Sequence, residues 1–485
     1  MKEEILEELN IKEDNERECK LATGGLPESI WETYSSFANT NGGTILLGIR
    51  EYRDSFTVEG LTDKQIVKYQ KDFWSTLNDR NKVSKNILLN HHVRPVTVGE
   101  KRILRIDVPA ADRHDKPVYI GTNPMKGTYK RDYEGDFLCA EEAVRAMFAD
   151  QRDVSGDVEV LEEFGLDVLN QDTIKGYRII FEQLHSGHPW NALENDEFLM
   201  KLRAAAKNKA GTLSPTIAGL LFFGEAYHIT EIFPNYFLDY RAELDPAIRW
   251  TDRVFSSSGD WSGNIFDFYF RVYNKLKQSL TVPFKLSGVT RIDDTPMHEA
   301  IREALANCLV NADYFGSRGI VVILRPDQIT FANPGYSRTG KLQMMRGGVS
   351  DPRNRGLMKM FNLVDIGERA GSGIPKIMNI WNDEGMKEPV ITEEFDPDRT
   401  ILTLSLEKKQ AIKTSDNAPV SSSKAKKTLE NQRKILEYLK DHGRSKCSDI
   451  AAFIGLSEAR TRVILLNMPE VEVTGANRYR TYRIK

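Results

Sequence analysis

The feature that most constrains this chain is the stretch REALANCLVNADYFG, from Arg302 to Gly316, whose apolar and polar residues separate onto two sides of one predicted helix. The apolar residues recur at the three- and four-residue spacing of a broad buried face. Glu303, Asn307 and Asn311 recur every four residues and line up on the opposite side. Asparagine is a poor helix former, and solvated helix faces usually carry longer charged side chains. The stripe is therefore either a solvated face or the wall of a site.

Length and composition limit the class of protein. The chain has 485 residues, enough for three or four domains, and its net charge of -3 favours neither nucleic acid nor membrane as a partner of the whole surface. Its four cysteines have no paired spacing, which argues against a disulfide framework and a structural zinc. The N-terminus has no apolar signal segment, and runs such as IAGLLFF are too short to span a bilayer. We expect a cytoplasmic protein without a membrane partner.

The hydrophobic pattern divides the chain into five segments, and the predicted fold class is a multidomain α+β protein. Residues 1–150 combine strands, a hairpin and a closing helix, whereas residues 151–290 have the pattern of a mostly helical connector. Residues 291–407 contain the helix described above, several strands and a glycine-rich turn. Residues 408–428 are polar and Lys/Ser-rich, which is typical of a flexible basic linker. Residues 429–485 have the pattern of three helices and a hairpin.

The third segment contains the residues of a candidate nucleotide site. No G-x-x-x-x-G-K-S/T motif occurs, so a P-loop is excluded. Glu303 and Asn307 place a carboxylate and an amide one helical turn apart. An amide oxygen can bind Mg²⁺, and a carboxylate beside it can orient a water molecule. Downstream, GERAGSGIPKI places Gly367, Gly371 and Gly373 before a helix, where backbone N–H groups can approach a phosphate.

The motifs REALANCLVNADY, ITFANPG, GGVSDPRN and GERAGSGI occur in an order that resembles the GHKL ATPase family, the fold of histidine kinases. More narrowly, they resemble the divergent GHKL domain of RecG-like ATP-binding regulators. The resemblance implies a GHKL-type α/β sandwich that binds ATP and Mg²⁺, with Glu303 as the general base and Asn307 as the magnesium ligand. The nucleotide-binding positions that it implies are Asn307, Asn311, Asn333, Gly335, Gly367, Gly371, Ser372 and Gly373.

One position departs from the family pattern. Asn333 stands where typical GHKL proteins have the aspartate that reads adenine. An asparagine can accept a hydrogen bond from the adenine amino group, but it carries no charge. The choice of nucleotide and its turnover therefore stay open, and ATP binding without fast hydrolysis is one alternative.

Acidic residues in the first segment suggest a second site. Glu13, Glu18 and Lys20 cluster in EDNERECK, and Glu51 follows the predicted strand TILLGI. Three carboxylates can hold a divalent metal for phosphodiester cleavage, with a lysine on the phosphate. A solvated, acid-rich N-terminal helix would have the same composition.

The stretches FANTNGGTILLGI and KPVYIGTNPMKGTYKRDYEGD resemble the Schlafen/AlbA-like domain. In nuclease members of that family, two glutamates five residues apart and a third acid bind the metal, which would be Mg²⁺ or Mn²⁺ at Glu13, Glu18 and Glu51. Bacterial members are mostly DNA-binding regulators. The presence of the three acidic residues does not distinguish a nuclease from such a regulator. The hairpin interleaves cations with aromatic residues, a composition that suits phosphates and exposed bases. The predicted nucleic-acid contacts are Lys126, Tyr129, Lys130, Arg131 and Tyr133.

The last segment has four more basic than acidic residues and resembles a winged helix-turn-helix. Its second helix would begin at Ser457 and enter the major groove, with Arg460 and Arg462 near its start. The wing, NRYRTYRIK, would place basic side chains on phosphates, namely Arg478, Arg480 and Arg483. A protein-interaction module is the alternative for this segment.

These predictions combine into an ATP-binding, DNA-binding transcriptional regulator in which a GHKL nucleotide site modulates nucleic-acid binding, and which forms a homodimer. The alternative is an enzyme, a Schlafen-type, metal-dependent ribonuclease that uses Glu13, Glu18 and Glu51 and is gated by ATP. A third possibility is a scaffold whose nucleotide pocket has decayed. Whether the chain is a weak ATPase, a nuclease or no enzyme stays open.

Overall fold

The computed structural model describes residues 16–52, 55–280, 285–287, 290–292, 295–367, 371–395 and 398–409, and, nearer the C-terminus, residues 434–436, 438–440, 442–454, 461, 464–465, 468, 471–474 and 481–484. The chain divides into two compact units, Met1–Lys409 and Gln410–Lys485. Among the helices described, none is long and apolar enough to cross a bilayer.

The N-terminal domain comprises the described residues up to 150. Its elements are β1 (Arg17–Lys20), α1 (Ile30–Asn39), β2 (Gly43–Leu47), β3 (Ile49–Tyr52), β4 (Ser55–Val58), α2 (Asp63–Leu77), β5 (Val93–Val98), β6 (Lys101–Val108), α3 (Pro124–Gly127), β7 (Tyr129–Asp132), β8 (Gly135–Leu138) and α4 (Glu141–Asp150). A sheet in the order β1-β2-β6-β5 is parallel between β1 and β2 and antiparallel elsewhere.

Local sequence explains the helices that cover this sheet. Thr62 and Gln65 form a capping box at the start of α2. The buried residues of α2 then recur every three or four positions, so one face of the helix turns to the core. Helix α1 packs against β7, and the buried Asn39 donates hydrogen bonds to the carbonyls of Val118 (2.8 Å) and Tyr129 (3.0 Å).

The central domain comprises the described residues from 151 to 409. Its elements are α5 (Gln171–Leu184), α6 (Asn195–Leu202), β9 (Ala205–Lys207), β10 (Leu213–Pro215), α7 (Ile217–Phe223), α8 (Ala226–Ile232), β11 (Leu238–Ala242), β12 (Asp252–Phe255), α9 (Ile265–Ser279), β13 (Lys285–Ser287), β14 (Thr290–Ile292), α10 (Pro296–Val310), β15 (Ile320–Leu324), β16 (Gln328–Pro334), α11 (Lys341–Arg346), α12 (Arg355–Asn362), α13 (Gly373–Asp383), β17 (Val390–Phe395) and β18 (Asp398–Ser405).

A six-stranded sheet in the order β12-β11-β15-β16-β18-β17 organises this domain. Strands β11 and β15 are parallel, and the other neighbours are antiparallel. Helix α9 packs on β11 and β12, α10 packs on β16, and α13 packs against α10. Pro296 in the first turn and the Thr295–His298 capping box start α10, the helix predicted from the two-sided pattern.

The structure differs from the predicted boundary at residue 290. Strands β11 and β12 lie within the segment predicted as a mostly helical connector, residues 151–290, yet they belong to the same sheet as β15–β18. One hydrophobic core runs from Val168 to Leu404 and includes helices of that segment. The parallel pairing of β11 with β15 joins residues about eighty positions apart, and a local pattern carries no signal for such a pairing.

The C-terminal unit contains β19 (Ser445–Lys446), α14 (Cys447–Ile454), β20 (Val471–Thr474) and β21 (Thr481–Ile484), with its sheet in the order β19-β21-β20. The predicted hairpin corresponds to β20 and β21, which pair antiparallel. The residues Ile435, Ile450, Leu465 and Tyr482 form its core. With mixed helices and sheets in every part, the predicted α+β multidomain class is confirmed.

Candidate functional site

Helix α10 lines a cavity in the central domain with the polar stripe that the sequence singled out. Glu303, Asn307 and Asn311 are all in its wall. Asn307 donates a hydrogen bond from Nδ2 to Oε1 of Glu303 (3.0 Å), and Asn311 donates one to the backbone carbonyl of Asn307 (3.0 Å). Glu303 is buried, with 6% of its surface exposed. The stripe therefore lines a cavity and is not a solvated face.

The glycine turn lies directly over this stripe. Gly371 and Gly373 are in the wall of the same cavity. A Cβ atom on Gly373 would lie 2.2 Å from Oε1 of Glu303 and 2.8 Å from Nδ2 of Asn307. Gly371 has a φ of +67°, and a Cβ there would lie 2.4 Å from the carbonyl oxygen of Val349. Glycine at 373 thus lets the start of α13 approach the carboxylate and the amide, and glycine at 371 lets the turn pack on the backbone of Val349.

Three other predicted positions lie beside the cavity and are not among its described lining residues. Gly367, with a φ of +74°, faces the side chains of Asn362 and Met358. Ser372 is the N-cap residue of α13. Gly335 lines a neighbouring cavity between the N-terminal and central domains, and its carbonyl accepts a hydrogen bond from Thr400 (2.8 Å).

The far wall of the cavity is built from β16 and β18. Asn333 and Thr400 are paired across these two strands, and both line the cavity. Apolar side chains from these strands and from neighbouring elements also line the cavity, namely Phe331, Met344, Met358, Ile374, Ile391 and Leu402. Burial raises the pKa of the Cys308 thiol, also in the wall, to about 12, so it is protonated at neutral pH. The cavity holds about 950 Å³ of empty space, including its open mouth. Apolar walls with a few polar groups suit a flat organic ring.

Charged residues at the rim were missed by the sequence analysis. Arg338 and Asp351 line the cavity, and Arg338 is the one cationic side chain among its described lining residues. Oδ1 of Asp150, in the N-terminal domain, accepts hydrogen bonds from Nε (2.9 Å) and Nη2 (2.8 Å) of Arg338. Asp351 is paired with Arg113 of the same domain (2.5 Å). Asp351 lies within GGVSDPRN, one of the motifs that carry the family resemblance, so this motif is the sequence signal for it.

The ion pairs of Asp351 set its protonation. Burial alone would raise the pKa of this carboxyl group. Hydrogen bonds from Arg355 and Arg113, together with the charges of Arg113 and Arg338, outweigh burial and hold the pKa below its ordinary value of 3.8. Asp351 is therefore a carboxylate at neutral pH.

The predicted metal site of the first segment is brought together only in part. Glu18 pairs with Lys20 (2.8 Å) and with Arg131 (2.9 Å), whereas Glu51 is exposed on β3. Glu13 lies outside the described residues. Within the described ranges, no three His, Cys, Asp or Glu side chains are grouped to hold a metal. Glu18 is thus held by two cations, as in a structural ion pair.

The basic hairpin differs from the prediction at two positions. Lys130 and Arg131 are buried, with 4% and 2% of their surface exposed. Lys130 pairs with Asp398 of the central domain (3.0 Å), and Arg131 pairs with Asp136 (3.0 Å) in addition to Glu18. Neither cation faces solvent, where a nucleic acid would bind, because each is paired with a partly buried carboxylate.

The other predicted hairpin contacts remain available. Tyr133 is 74% exposed at the hairpin turn, and Lys126 is exposed. Tyr129 is half-buried, and its hydroxyl lies 3.4 Å from Oε1 of Glu32. In the C-terminal unit, Arg483 is exposed beside Glu472 (2.7 Å). The remaining predicted DNA contacts, Arg460, Arg462, Arg478 and Arg480, lie outside the described residues.

Family models match four parts of the chain. The model described as "Schlafen, AlbA_2" matches residues 9–138, and a domain of unknown function matches residues 145–239. The model described as "Putative ATP-dependent DNA helicase recG C-terminal" matches residues 317–404. The model described as "Winged helix-turn-helix DNA-binding" matches residues 429–468. No curated protein matches the chain.

Solved structures with some similarity include two bacterial proteins. The crystal structure of the DIP2311 protein from Corynebacterium diphtheriae is 14% identical, with a TM-score of 0.40, and the match covers 97% of this chain and 95% of that one. The solution structure of the N-terminal domain of a RecG-related protein from Nitrosomonas europaea is 31% identical, with a TM-score of 0.22. That match covers 28% of this chain and 92% of the other.

Proposed function

We propose that this chain, which joins a Schlafen AlbA_2 domain, a recG C-terminal ATPase-like domain and a winged helix-turn-helix in that order, uses its central cavity to bind ATP with Mg²⁺ and so modulates its binding to DNA. The domain set is that of a DNA-binding, ATPase-related regulator. The observation that carries the nucleotide site is the contact of Glu303 and Asn307 with the glycine-rich start of α13.

The residues of the cavity fit the groups that the proposal requires. Asn307 supplies an amide oxygen, a donor that suits Mg²⁺, and Glu303 supplies a carboxylate that can orient a water molecule as the general base. The absence of side chains at Gly371 and Gly373 brings the N-terminus of α13 to the cavity, where its N–H groups and helix dipole favour a phosphate. Asn333 and Thr400 offer an amide and a hydroxyl to a base held between apolar side chains.

Calorimetric titration of the full chain with ATP and Mg²⁺ tests this proposal. We expect the wild type to bind and Asn307→Ala to bind weakly or not at all. Asn382→Ala, an exposed position near the other end of α13, is the matched control and should bind like the wild type. Glu303→Gln should keep binding and lose any slow hydrolysis. If no nucleotide binds or competes, the scaffold alternative replaces the regulator.

The regulatory part of the proposal needs a second measurement. Fluorescence anisotropy of a labelled duplex, with RNA as the comparator, should give different affinities with and without ATP for the wild type. Asn307→Ala should give the same DNA affinity under both conditions. Light scattering on the same samples tests the expected homodimer, which would place two winged helices on paired half-sites. Equal DNA affinities for the wild type with and without ATP would contradict the proposed coupling between ATP binding and DNA binding.

The ribonuclease alternative has less support from the described residues. Glu18 is held by Lys20 and Arg131, and Glu51 is exposed. The test is an RNA cleavage assay with Mn²⁺ that compares the wild type with Glu18→Gln. Metal-dependent cleavage that is lost in the variant would restore this alternative.

A further inference from the structure

The cationic side chain at the rim of the cavity is shared between two domains. Arg338 belongs to the central domain, and 7% of its side chain is exposed. Both of its described hydrogen bonds go to one oxygen, Oδ1 of Asp150, the last residue of α4 in the N-terminal domain. The other oxygen of Asp150 pairs with Arg353 (3.1 Å). One carboxylate of the N-terminal domain thus holds two arginines of the central domain.

The anionic residue at the rim is also paired across the two domains, here as a carboxylate of the central domain with an arginine of the N-terminal domain. Asp351 lines the cavity, and its Oδ2 accepts a hydrogen bond from Nε of Arg113 in the N-terminal domain. Nη1 of Arg113 also donates to the backbone carbonyl of Asp150 (2.5 Å), so the two ion pairs are connected. Both charged residues at the rim therefore have partners in the N-terminal domain. We call Arg113, Asp150, Arg338 and Asp351 the rim cluster.

We propose that an anionic ligand in the cavity competes with Asp150 for Arg338, so that nucleotide binding loosens the N-terminal domain from the central domain. The inference rests on the proposed nucleotide site and adds the residues that couple it to the N-terminal domain. A guanidinium group binds phosphate through two parallel hydrogen bonds, the same donors that Arg338 now directs at Asp150.

The charge of Asp351 acts in the same direction. A polyphosphate would share the cavity with this carboxylate, and like charges repel strongly where water is excluded. Either Asp351 moves away with Arg113, or the ligand binds less tightly. Coupling is reciprocal, so if the ligand weakens the contact of Arg338 with Asp150, that contact weakens ligand binding by the same factor.

The interface also has contacts outside the cavity, and these provide the control. Glu142, in the same helix as Asp150, accepts a hydrogen bond from the backbone N–H of Ser317 in the central domain (2.8 Å). Neither Glu142 nor Ser317 is among the described residues of the nucleotide cavity. Glu142→Ala therefore removes an interdomain contact without freeing Arg338.

The test is calorimetric titration of full-length wild type, Asp150→Asn and Glu142→Ala with ATP and Mg²⁺. Asparagine keeps the size of Asp150 and removes its charge, so we expect Asp150→Asn to bind ATP about tenfold more tightly, within the usual range of coupling between sites. Glu142→Ala should bind like the wild type. A purely structural role for Asp150 predicts a lower melting temperature and no gain in affinity, which would overturn the inference.

Hydrogen exchange of the wild type gives a second readout that needs no variant to fold. ATP should speed exchange in residues 141–150 and leave α2, in the same domain, unchanged. No change in residues 141–150 at saturating ATP overturns the inference while the nucleotide site stands. If the wild type binds no ATP, the proposed function and this inference fail together.

Discussion

At the scale of single residues, the two glycines before α13 are constrained by different neighbours. The Cβ of a residue at 373 would meet the ends of two side chains of the proposed site, Glu303 and Asn307, which can move aside. The Cβ of a residue at 371 meets the backbone of Val349 and requires a positive φ. A substitution at Gly373 should therefore weaken ligand binding, and a substitution at Gly371 should lower the stability of the fold.

We expect Gly373→Ala to lose most of its ATP affinity with little change in the urea midpoint. Gly371→Ala should lower the free energy of unfolding by about 1–3 kcal/mol, because its clash falls on backbone. Gly176→Ala is the control, since the nearest atom to a Cβ in this helical position lies 3.9 Å away. It should stabilise the protein by about 0.5–1 kcal/mol. Equal effects of the two turn substitutions would contradict this assignment.

The stability that the ion pairs of Asp351 contribute to the protein depends on pH. Because its folded pKa is lowered, its ion pairs stabilise the protein fully above its ordinary value of 3.8 and lose that effect as the pH falls through the folded pKa. Urea midpoints of wild type and Asp351→Asn should therefore differ by a constant amount from pH 5 to 7. The difference should shrink below pH 3.8. A difference that grows on acidification would be the opposite result.

At the scale of elements, an aromatic cluster fixes the helices of the predicted connector to the half of the central domain that contains the cavity. Phe222 in α7 is fully buried, and its ring centroid lies 5.9 Å from that of Tyr177 in α5 and 4.9 Å from that of Phe361 in α12. The hydroxyl of Tyr177 donates to the carbonyl of Met360 (2.8 Å). These helices thus share one core and should unfold together.

Phe222→Ala should cost about 3–5 kcal/mol of unfolding free energy, the usual effect of a large cavity in a core. Tyr227→Ala, on the next helix and 63% exposed, should change it by less than about 0.5 kcal/mol. Chemical denaturation followed by circular dichroism measures both. If Phe222→Ala produced a separate early transition for residues 151–290, the shared core would not be cooperative.

At the scale of the whole molecule, the chain has two units with separate cores. A chain truncated after Lys409 should keep the main calorimetric transition and the ATP affinity of the full chain. It should lose most of its affinity for duplex DNA, since the part matched by the winged-helix model is removed. Retention of full DNA affinity would place the DNA contact in the N-terminal domain.

What the sequence alone determined was the local chemistry and the order of the parts. The order of the Schlafen AlbA_2, ATPase-like and winged-helix segments is confirmed by the family models. The helix with Glu303 and Asn307, and the glycine turn that meets it, follow from helical spacing and from the conformations open to glycine. These features depend on residues near one another in the chain, so they leave a readable pattern.

Only the tertiary structure decided which distant residues meet. Because β11 pairs with β15, the sheet of the central domain begins before the predicted boundary at residue 290. Asp150 and Arg338, which form an ion pair, are 188 positions apart in the chain. Lys130 and Arg131 have the composition of a nucleic-acid hairpin, but Asp398 of the central domain and Glu18 of β1 draw them inward. The physical reason is that an ion pair or a strand pairing depends on the position of both partners, whereas the sequence shows only the type of each residue.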